Sequence, residues 1–163
     1  MTAVLADERL YAFTGGRPPG SEQLRARYRV LAAGPGRPEE DWLNWIARER
    51  ASGAAVGTMQ ATIVPAKTVP AAAARTGRAA YIAWVIGVPW QGRGFATEAA
   101  RAVTGWLLAA GVRVILACIY PGHLASEQVA SRAGLELTGH VEDGERVWVL
   151  RSGGAPGGPA APA

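Results

Sequence analysis

A glycine-containing turn between an apolar, strand-like run and a helix-forming segment, within residues 84–99, most limits how this chain can fold. Gly92 and Gly94 let successive backbone N–H groups turn toward one point. The first turn of the following helix adds its own unpaired donors and a partial positive charge. The pattern therefore predicts a cradle for a phosphate or pyrophosphate group.

The two common phosphate-binding motifs of this type do not fit. A Walker loop needs a Gly-Lys pair, which the chain lacks. A dinucleotide-binding fingerprint needs a glycine at position 97, where the chain has Thr97. The pattern Gln/Arg-x-x-Gly-x-Gly/Ala does fit, through Gln91, Gly94 and Ala96. On these positions alone, a tight strand–helix connection that binds nothing is the alternative.

The wider neighbourhood resembles the GNAT superfamily of N-acyltransferases. Residues 91–96 resemble its coenzyme A pyrophosphate loop. Residues 90–99 resemble the Trp-x-Gly-x-Gly-(aromatic)-Ala-Thr-Glu-Ala string of the branch that acetylates ribosomal-protein N-termini, the RimJ/RimL-like branch. Residues 123–135 resemble that branch's Asn-x-x-Ser-x-x-Val-x-x-x-x-Gly-Phe helix. The resemblance covers residues 79–150 well and residues 1–65 loosely.

The resemblance implies acetyl-CoA as co-substrate, with its pyrophosphate on main-chain N–H groups and its pantetheine arm paired with a strand. Gln91 would open the turn, and Arg93 would either contact a phosphate or face solvent. The residues implied in cofactor binding are Trp84, Val85, Ile86, Gln91, Gly92, Arg93, Gly94, Phe95, Ala96, Thr97 and His123.

The reaction implied is attack of an amine on a thioester, which needs a base, an N–H donor for the oxyanion and a proton for the thiolate. Ser126 matches a serine proposed to protonate that thiolate; its alternative is a polar residue of a helix's first turn. His123 replaces the branch's usual asparagine and is either a proton carrier or a substitute helix cap. Tyr81 stands where the family often has a carboxylate, so the general base stays unassigned.

Composition is consistent with a soluble enzyme. The chain has 163 residues, 49% of them apolar, and no apolar run approaches the ~20 residues of a membrane span. No signal segment opens it, which predicts a cytoplasmic location. The net charge of +4 suits an anionic cofactor, and the absence of a basic block argues against nucleic-acid binding. The single cysteine, Cys118, is predicted to be buried and inert, and no metal-ligand spacing occurs.

The expected fold is α/β (α+β), with a mixed, mostly antiparallel sheet flanked by helices. A central parallel pair, residues 79–88 and 112–120, splays where the glycine turn begins. The family usually has an edge strand before its first helix, and this sequence begins about where that helix should; either its start is too late or the sheet lacks this edge. Residues 1–151 are predicted to form one domain and residues 152–163 a disordered tail. We expect helices at 2–13, 21–33 (capped by Ser21), 97–110 and 125–133, further strands at 42–50, 55–64, 135–140 and 146–151, and a mobile loop at 65–78.

The resemblance to the GNAT superfamily implies acetyl transfer from acetyl-CoA to a primary amine by direct attack in a ternary complex. The acceptor is a protein N-terminus or a small molecule, and the protein is a monomer or homodimer. A coenzyme A-binding module without catalytic activity is the alternative. Nucleic-acid binding, the least favoured function, predicts an association that weakens steeply with salt.

Overall fold

The computed structural model describes residues 1–69 and 76–152. The main elements in chain order are α1 (Ser21–Ala33), β1 (Asp41–Arg48), β2 (Ala55–Pro65), β3 (Arg78–Ile86), α2 (Phe95–Ala109), β4 (Val114–Ile119), α3 (Leu124–Arg132), β5 (Glu136–Glu142) and β6 (Glu145–Arg151). No helix in the described part of the chain is long and apolar enough to cross a bilayer. Residues 70–75 of the predicted loop and 153–163 of the predicted tail lie outside the described residues.

One six-stranded sheet, in the order β1-β2-β3-β4-β6-β5, organises the chain. All neighbouring strands are antiparallel except β3 and β4. That parallel pairing covers only Ala79–Tyr81 against Val114–Leu116, and the two strands diverge beyond it. The predicted mixed sheet with a splayed parallel pair is therefore confirmed. No strand precedes α1 within the described residues.

Two apolar clusters hold the sheet, one on each face. The first joins α2 and α3 to the sheet through buried side chains such as Leu107 and Ile115. The second contains Val114, Leu116 and Val149 on the opposite face. Because β4 alternates between these clusters, both of its faces are buried, which explains its continuous apolar sequence.

The N-terminal segment differs from its prediction. Residues 2–13 do not form a helix; they contain turns and a short 3-10 helix, Glu8–Tyr11. The Asp7 carboxylate accepts hydrogen bonds from the Arg9 backbone N–H (3.0 Å) and its guanidinium (2.7 Å), which favours this tight turn. A continued helix is also opposed by positive φ at the following glycines, Gly15 and Gly16.

Helix boundaries follow local caps more closely than side-chain periodicity. Helix α1 has the predicted bounds, but Ser21 is its first residue and Gly20 is the cap, so the predicted Ser21 cap is wrong. Helix α2 begins two residues earlier than predicted, because left-handed Gly94 (φ +88) lets the chain enter the helix at once. Strand β3 ends at Ile86 rather than at residue 88, since Val88–Trp90 forms a 3-10 turn.

Gly57 provides a test of how closely β2 approaches β3. It lies opposite Ile86, and a Cβ at this position would collide with the Val85 carbonyl oxygen. We expect Gly57→Ala to lower the free energy of unfolding by about 1–3 kcal/mol, measured by urea denaturation. Gly105→Ala is the matched control: it lies within α2, has no atom within 4 Å of the new Cβ, and should gain about 0.5–1 kcal/mol. A Gly57→Ala protein as stable as wild type would contradict this packing.

Candidate active site

The glycine turn presents six successive main-chain N–H groups, those of residues 92–97, that have no hydrogen-bond acceptor among the described residues. Gly92 (φ +73) and Gly94 (φ +88) adopt left-handed conformations, and each has open space where a side chain would lie. The next amide, that of Glu98, bonds to the Gly94 carbonyl at 3.0 Å as helix α2 begins. These donors lie at the positive end of a 15-residue helix, an arrangement that suits an anion.

Gln91 fixes this turn to the end of β3. Its side-chain amide donates to the Ile86 carbonyl at 2.9 Å, while its backbone N–H bonds to the Val88 carbonyl at 3.2 Å. Both amide groups of Gln91, immediately before the turn, are therefore bonded within the fold, whereas the N–H groups of residues 92–97 find no acceptor in the described ranges.

Arg93 points toward the β1–β2 hairpin. Its guanidinium lies 2.5 Å from the Glu49 carboxylate and stacks over the Phe95 ring at 5.0 Å. The Ser52 hydroxyl and the Arg93 guanidinium together lower the pKa of Glu49. The sequence leaves two roles open for Arg93, phosphate contact and solvent exposure. The geometry selects neither of them, because the half-exposed guanidinium is already paired with a carboxylate.

The end of β3 offers main-chain groups to the gap between β3 and β4. The Gly87 N–H donates to the Val56 carbonyl of β2 at 2.9 Å. Because main-chain groups alternate sides along a strand, those of Val85 also face β2, and those of Trp84 and Ile86 face the gap. The Ile86 carbonyl accepts the hydrogen bond from the Gln91 side chain. The main-chain groups of Trp84 and the Ile86 N–H are therefore the ones that could pair with a ligand in the gap. Of the three strand residues predicted to pair with pantetheine, Val85 has the wrong orientation.

Ser126 and His123 are in contact at the start of α3. The Ser126 Oγ lies 3.2 Å from the His123 Nε2, and the imidazole stacks on the Phe13 ring with centroids 4.2 Å apart. Burial lowers the pKa of His123, and the nearby Glu127 carboxylate opposes that shift. His123 occupies the cap position, but its side chain makes no capping bond, so its predicted role as a substitute cap is wrong.

A second polar group lies at the point where β3 and β4 separate, and the sequence did not reveal it. The Tyr81 hydroxyl donates to the Glu142 carboxylate at 3.3 Å, and the Cys118 Sγ lies 3.8 Å from the same oxygen. Burial, and then the nearby carboxylates, raise the pKa of Cys118 to about 12, which fits the predicted inert thiol although the residue is only half-buried. The same causes raise the pKa of Tyr81. The register of the last hairpin was the missing signal, since it decides where Glu142 lies.

A cavity of about 330 Å³ lies away from these groups, at the other end of β3. Trp42 and Trp106 line it together with Arg78, which is paired with Asp41. Because Arg78 begins β3 and the glycine turn follows its end, this cavity is separate from the candidate site. No cluster of three or more potential metal ligands occurs in the portion of the chain that the structure covers.

Comparison with known proteins identifies the family. The sequence profile described as "Acetyltransferase (GNAT) domain" matches residues 1–136. A comparison with curated proteins produced no significant match.

Solved structures share the fold at low identity. The aminoglycoside acetyltransferase AAC(6')-Ib, in complex with coenzyme A, gives a TM-score of 0.68 at 20% identity over 92% of this chain and 86% of that one. The GNAT domain of S. lividans PAT gives 0.67 at 20% identity over 93% and 81%. A protein from Vibrio cholerae, described as a candidate ribosomal-protein-serine acetyltransferase, gives 0.54 at 17% identity over 80% and 72%. The matched profile, which spans most of the sequence, shows that this chain belongs to the GNAT acetyltransferase family.

Proposed function

We propose that this protein transfers an acetyl group from acetyl-CoA to a primary amine. The observation that carries the proposal is the set of six N–H groups at residues 92–97, for which residues 1–69 and 76–152 provide no acceptor. A coenzyme A diphosphate is an anion of the kind such donors bind. Membership of the GNAT family and the coenzyme A held by the similar AAC(6')-Ib structure support this assignment.

The remaining groups of the site suit the rest of the cofactor. In this proposal Trp84 and the Ile86 N–H pair with the pantetheine amides, as an added strand would, and one strand N–H faces the thioester oxygen. Phe95, Ala96 and Thr97 contribute main-chain donors from the first turn of α2. Acetyl-CoA supplies the activated acyl thioester, and the chain supplies binding, orientation and proton transfer.

Ser126 is the proposed acid, and His123 is its proton partner. The Ser126 hydroxyl protonates the departing thiolate, and His123 returns a proton to Ser126 through their 3.2 Å contact. An imidazole whose pKa is lowered by burial stays neutral near pH 7, so it can accept a proton and release it again. This arrangement needs no covalent enzyme intermediate.

Two classes of acceptor remain within the proposal. Similarity of residues 90–99 and 123–135 to the RimJ/RimL-like branch, together with the Vibrio cholerae neighbour, favours a protein N-terminus. The aminoglycoside-modifying neighbours favour a small-molecule amine. The proposal also includes one catalytic domain over residues 1–151, a cytoplasmic location, and a monomer or homodimer.

Gly94→Ala tests the diphosphate site. Alanine at φ +88 costs about 1–2 kcal/mol, so the turn should change conformation and acetyl-CoA should bind about tenfold more weakly by isothermal titration calorimetry. Gly111→Ala is the control, because Gly111 has a similar φ of +85 and equally open surroundings at the far end of α2. It should lose stability without losing affinity. Wild-type protein that does not bind acetyl-CoA, or equal binding by both variants, would argue against this site.

Ser126→Ala tests catalysis separately from binding. Thiol release from acetyl-CoA, measured with a panel of peptide and small-molecule amines, should fall by about 10²-fold in kcat with an unchanged Kd for acetyl-CoA. His123→Asn, which introduces the branch's usual residue, should bind normally and should lose the pH dependence contributed by the imidazole. A wild-type protein that binds acetyl-CoA yet releases no thiol with any amine would instead support the noncatalytic coenzyme A-binding module.

A further inference from the structure

Glu142 contacts both central strands at the point where they part. Tyr81 forms the last residue pair of the parallel β3–β4 ladder, opposite Leu116. Cys118 lies two residues further along β4, beyond that last pair. Since the Glu142 carboxylate is 3.3 Å from the Tyr81 hydroxyl and 3.8 Å from the Cys118 Sγ, it spans the start of the gap.

The last hairpin holds Glu142 at this position. Strand β6 pairs with β4, with Arg146 opposite Ile119, so the hairpin tip lies beside the diverging end of β4. Asp143 (φ +49) and Gly144 (φ +84) form a two-residue turn that sets Glu142 opposite Glu145. The carboxylate is therefore placed by backbone register rather than by a flexible loop.

Glu142 reaches the gap from the face opposite α2 and α3. Tyr81 and Cys118 pack against the cluster of Val114, Leu116 and Val149, whereas α2 and α3 pack on the other face. The N–H groups proposed to bind the diphosphate belong to the start of α2. A donor held by α2 and an acceptor arriving over Glu142 would thus approach the same gap from the two faces of the sheet.

The surroundings of Glu142 leave its carboxylate as the proton acceptor of the cluster. None of the five ion pairs found among residues 1–69 and 76–152 includes it. The Tyr81 hydroxyl and the Cys118 thiol keep their protons at neutral pH. Asp143 and Glu145 lie on the same hairpin, and their charges help to keep the Cys118 thiol protonated.

We propose that Glu142 is the catalytic base for the acceptor amine and that Tyr81 is the positioning residue for its carboxylate. This inference rests on the proposed acetyltransferase function. An N–H bond of the acceptor ammonium breaks and an O–H bond forms on Glu142. The freed nitrogen lone pair forms the C–N bond, the C–S bond breaks, and the thiolate takes its proton from Ser126. The second proton leaving nitrogen restores Ser126 through His123, and Glu142 releases its proton to water.

The carboxylate was not expected from the sequence because Tyr81 occupies the strand position where the family often has the base. Here the carboxylate belongs to a residue 61 positions later, which accepts a hydrogen bond from that tyrosine. A half-buried tyrosine at this position is then compatible with amine chemistry, because its hydroxyl orients a base on the neighbouring hairpin.

Glu142→Gln is the decisive variant, because glutamine keeps the size and hydrogen-bonding capacity of the side chain but cannot take the proton. Its acetyl-CoA Kd and thermal unfolding should match wild type. Its kcat/KM at pH 7, for whichever panel amine the wild type acetylates, should fall by about 10²-fold. The activity should recover as the pH rises past the acceptor's own pKa, about 8 for a peptide α-amine, because the amine then arrives deprotonated.

Two further variants separate catalysis from structure. Glu145→Gln removes the same charge from the same hairpin and should retain wild-type kcat/KM within about twofold. Tyr81→Phe should lower kcat/KM about tenfold while keeping the wild-type pH profile, because the base remains but is less well oriented.

The outcomes distinguish this inference from the proposed function. Wild-type protein that releases no thiol overturns the acetyltransferase assignment and this inference with it. An active wild type with a Glu142→Gln variant of equal kcat/KM and equal pH profile overturns this inference alone. A Glu142→Gln variant that stays inactive at high pH also overturns it, since a lost base must be replaceable by prior deprotonation of the amine.

Discussion

A row of main-chain hydrogen-bond donors without acceptors in the described part of the chain defines the candidate site of this protein. The two amides immediately before the glycine turn are bonded: those of Trp90 and Gln91 donate to the Gly87 and Val88 carbonyls. The six that follow have no acceptor among the described residues, and left-handed glycines hold them in place. Hydrogen bonds to a charged group contribute about 1.5–3 kcal/mol each, so three or four of them account for much of a micromolar affinity of about 8 kcal/mol.

The divergence of β3 and β4 converts this anion site into a candidate catalytic site. Their ladder ends at Tyr81 and Leu116, and from there β3 directs alternate main-chain groups into the gap. Ser126 with His123 lies beyond the end of β4, and Glu142 approaches from the last hairpin. The same break in strand pairing therefore provides room for a narrow acyl carrier and exposes it to groups from three separate elements.

Features set by local sequence could be predicted, and features set by long-range contacts could not. The glycine turn, the bounds of α1 and the buried character of β4 follow from nearby residues. The orientation of Val85 depends on its register with β2, and the position of Glu142 depends on the register of β5 and β6. The contact of His123 with Phe13 joins residues 110 positions apart, so no local pattern could indicate it. The predicted helix at 2–13 failed because Asp7 bonds to Arg9 within a tighter turn.

Amide NMR of ¹⁵N-labelled protein measures the central claim directly. Coenzyme A carries the diphosphate and pantetheine does not, so titration with each separates the anion contact from the contacts of the arm. The account predicts that coenzyme A shifts the amide proton resonances of residues 92–97 downfield, that pantetheine does not, and that Gly111 is unaffected by either. Coenzyme A that shifts resonances elsewhere while leaving residues 92–97 unchanged would contradict it.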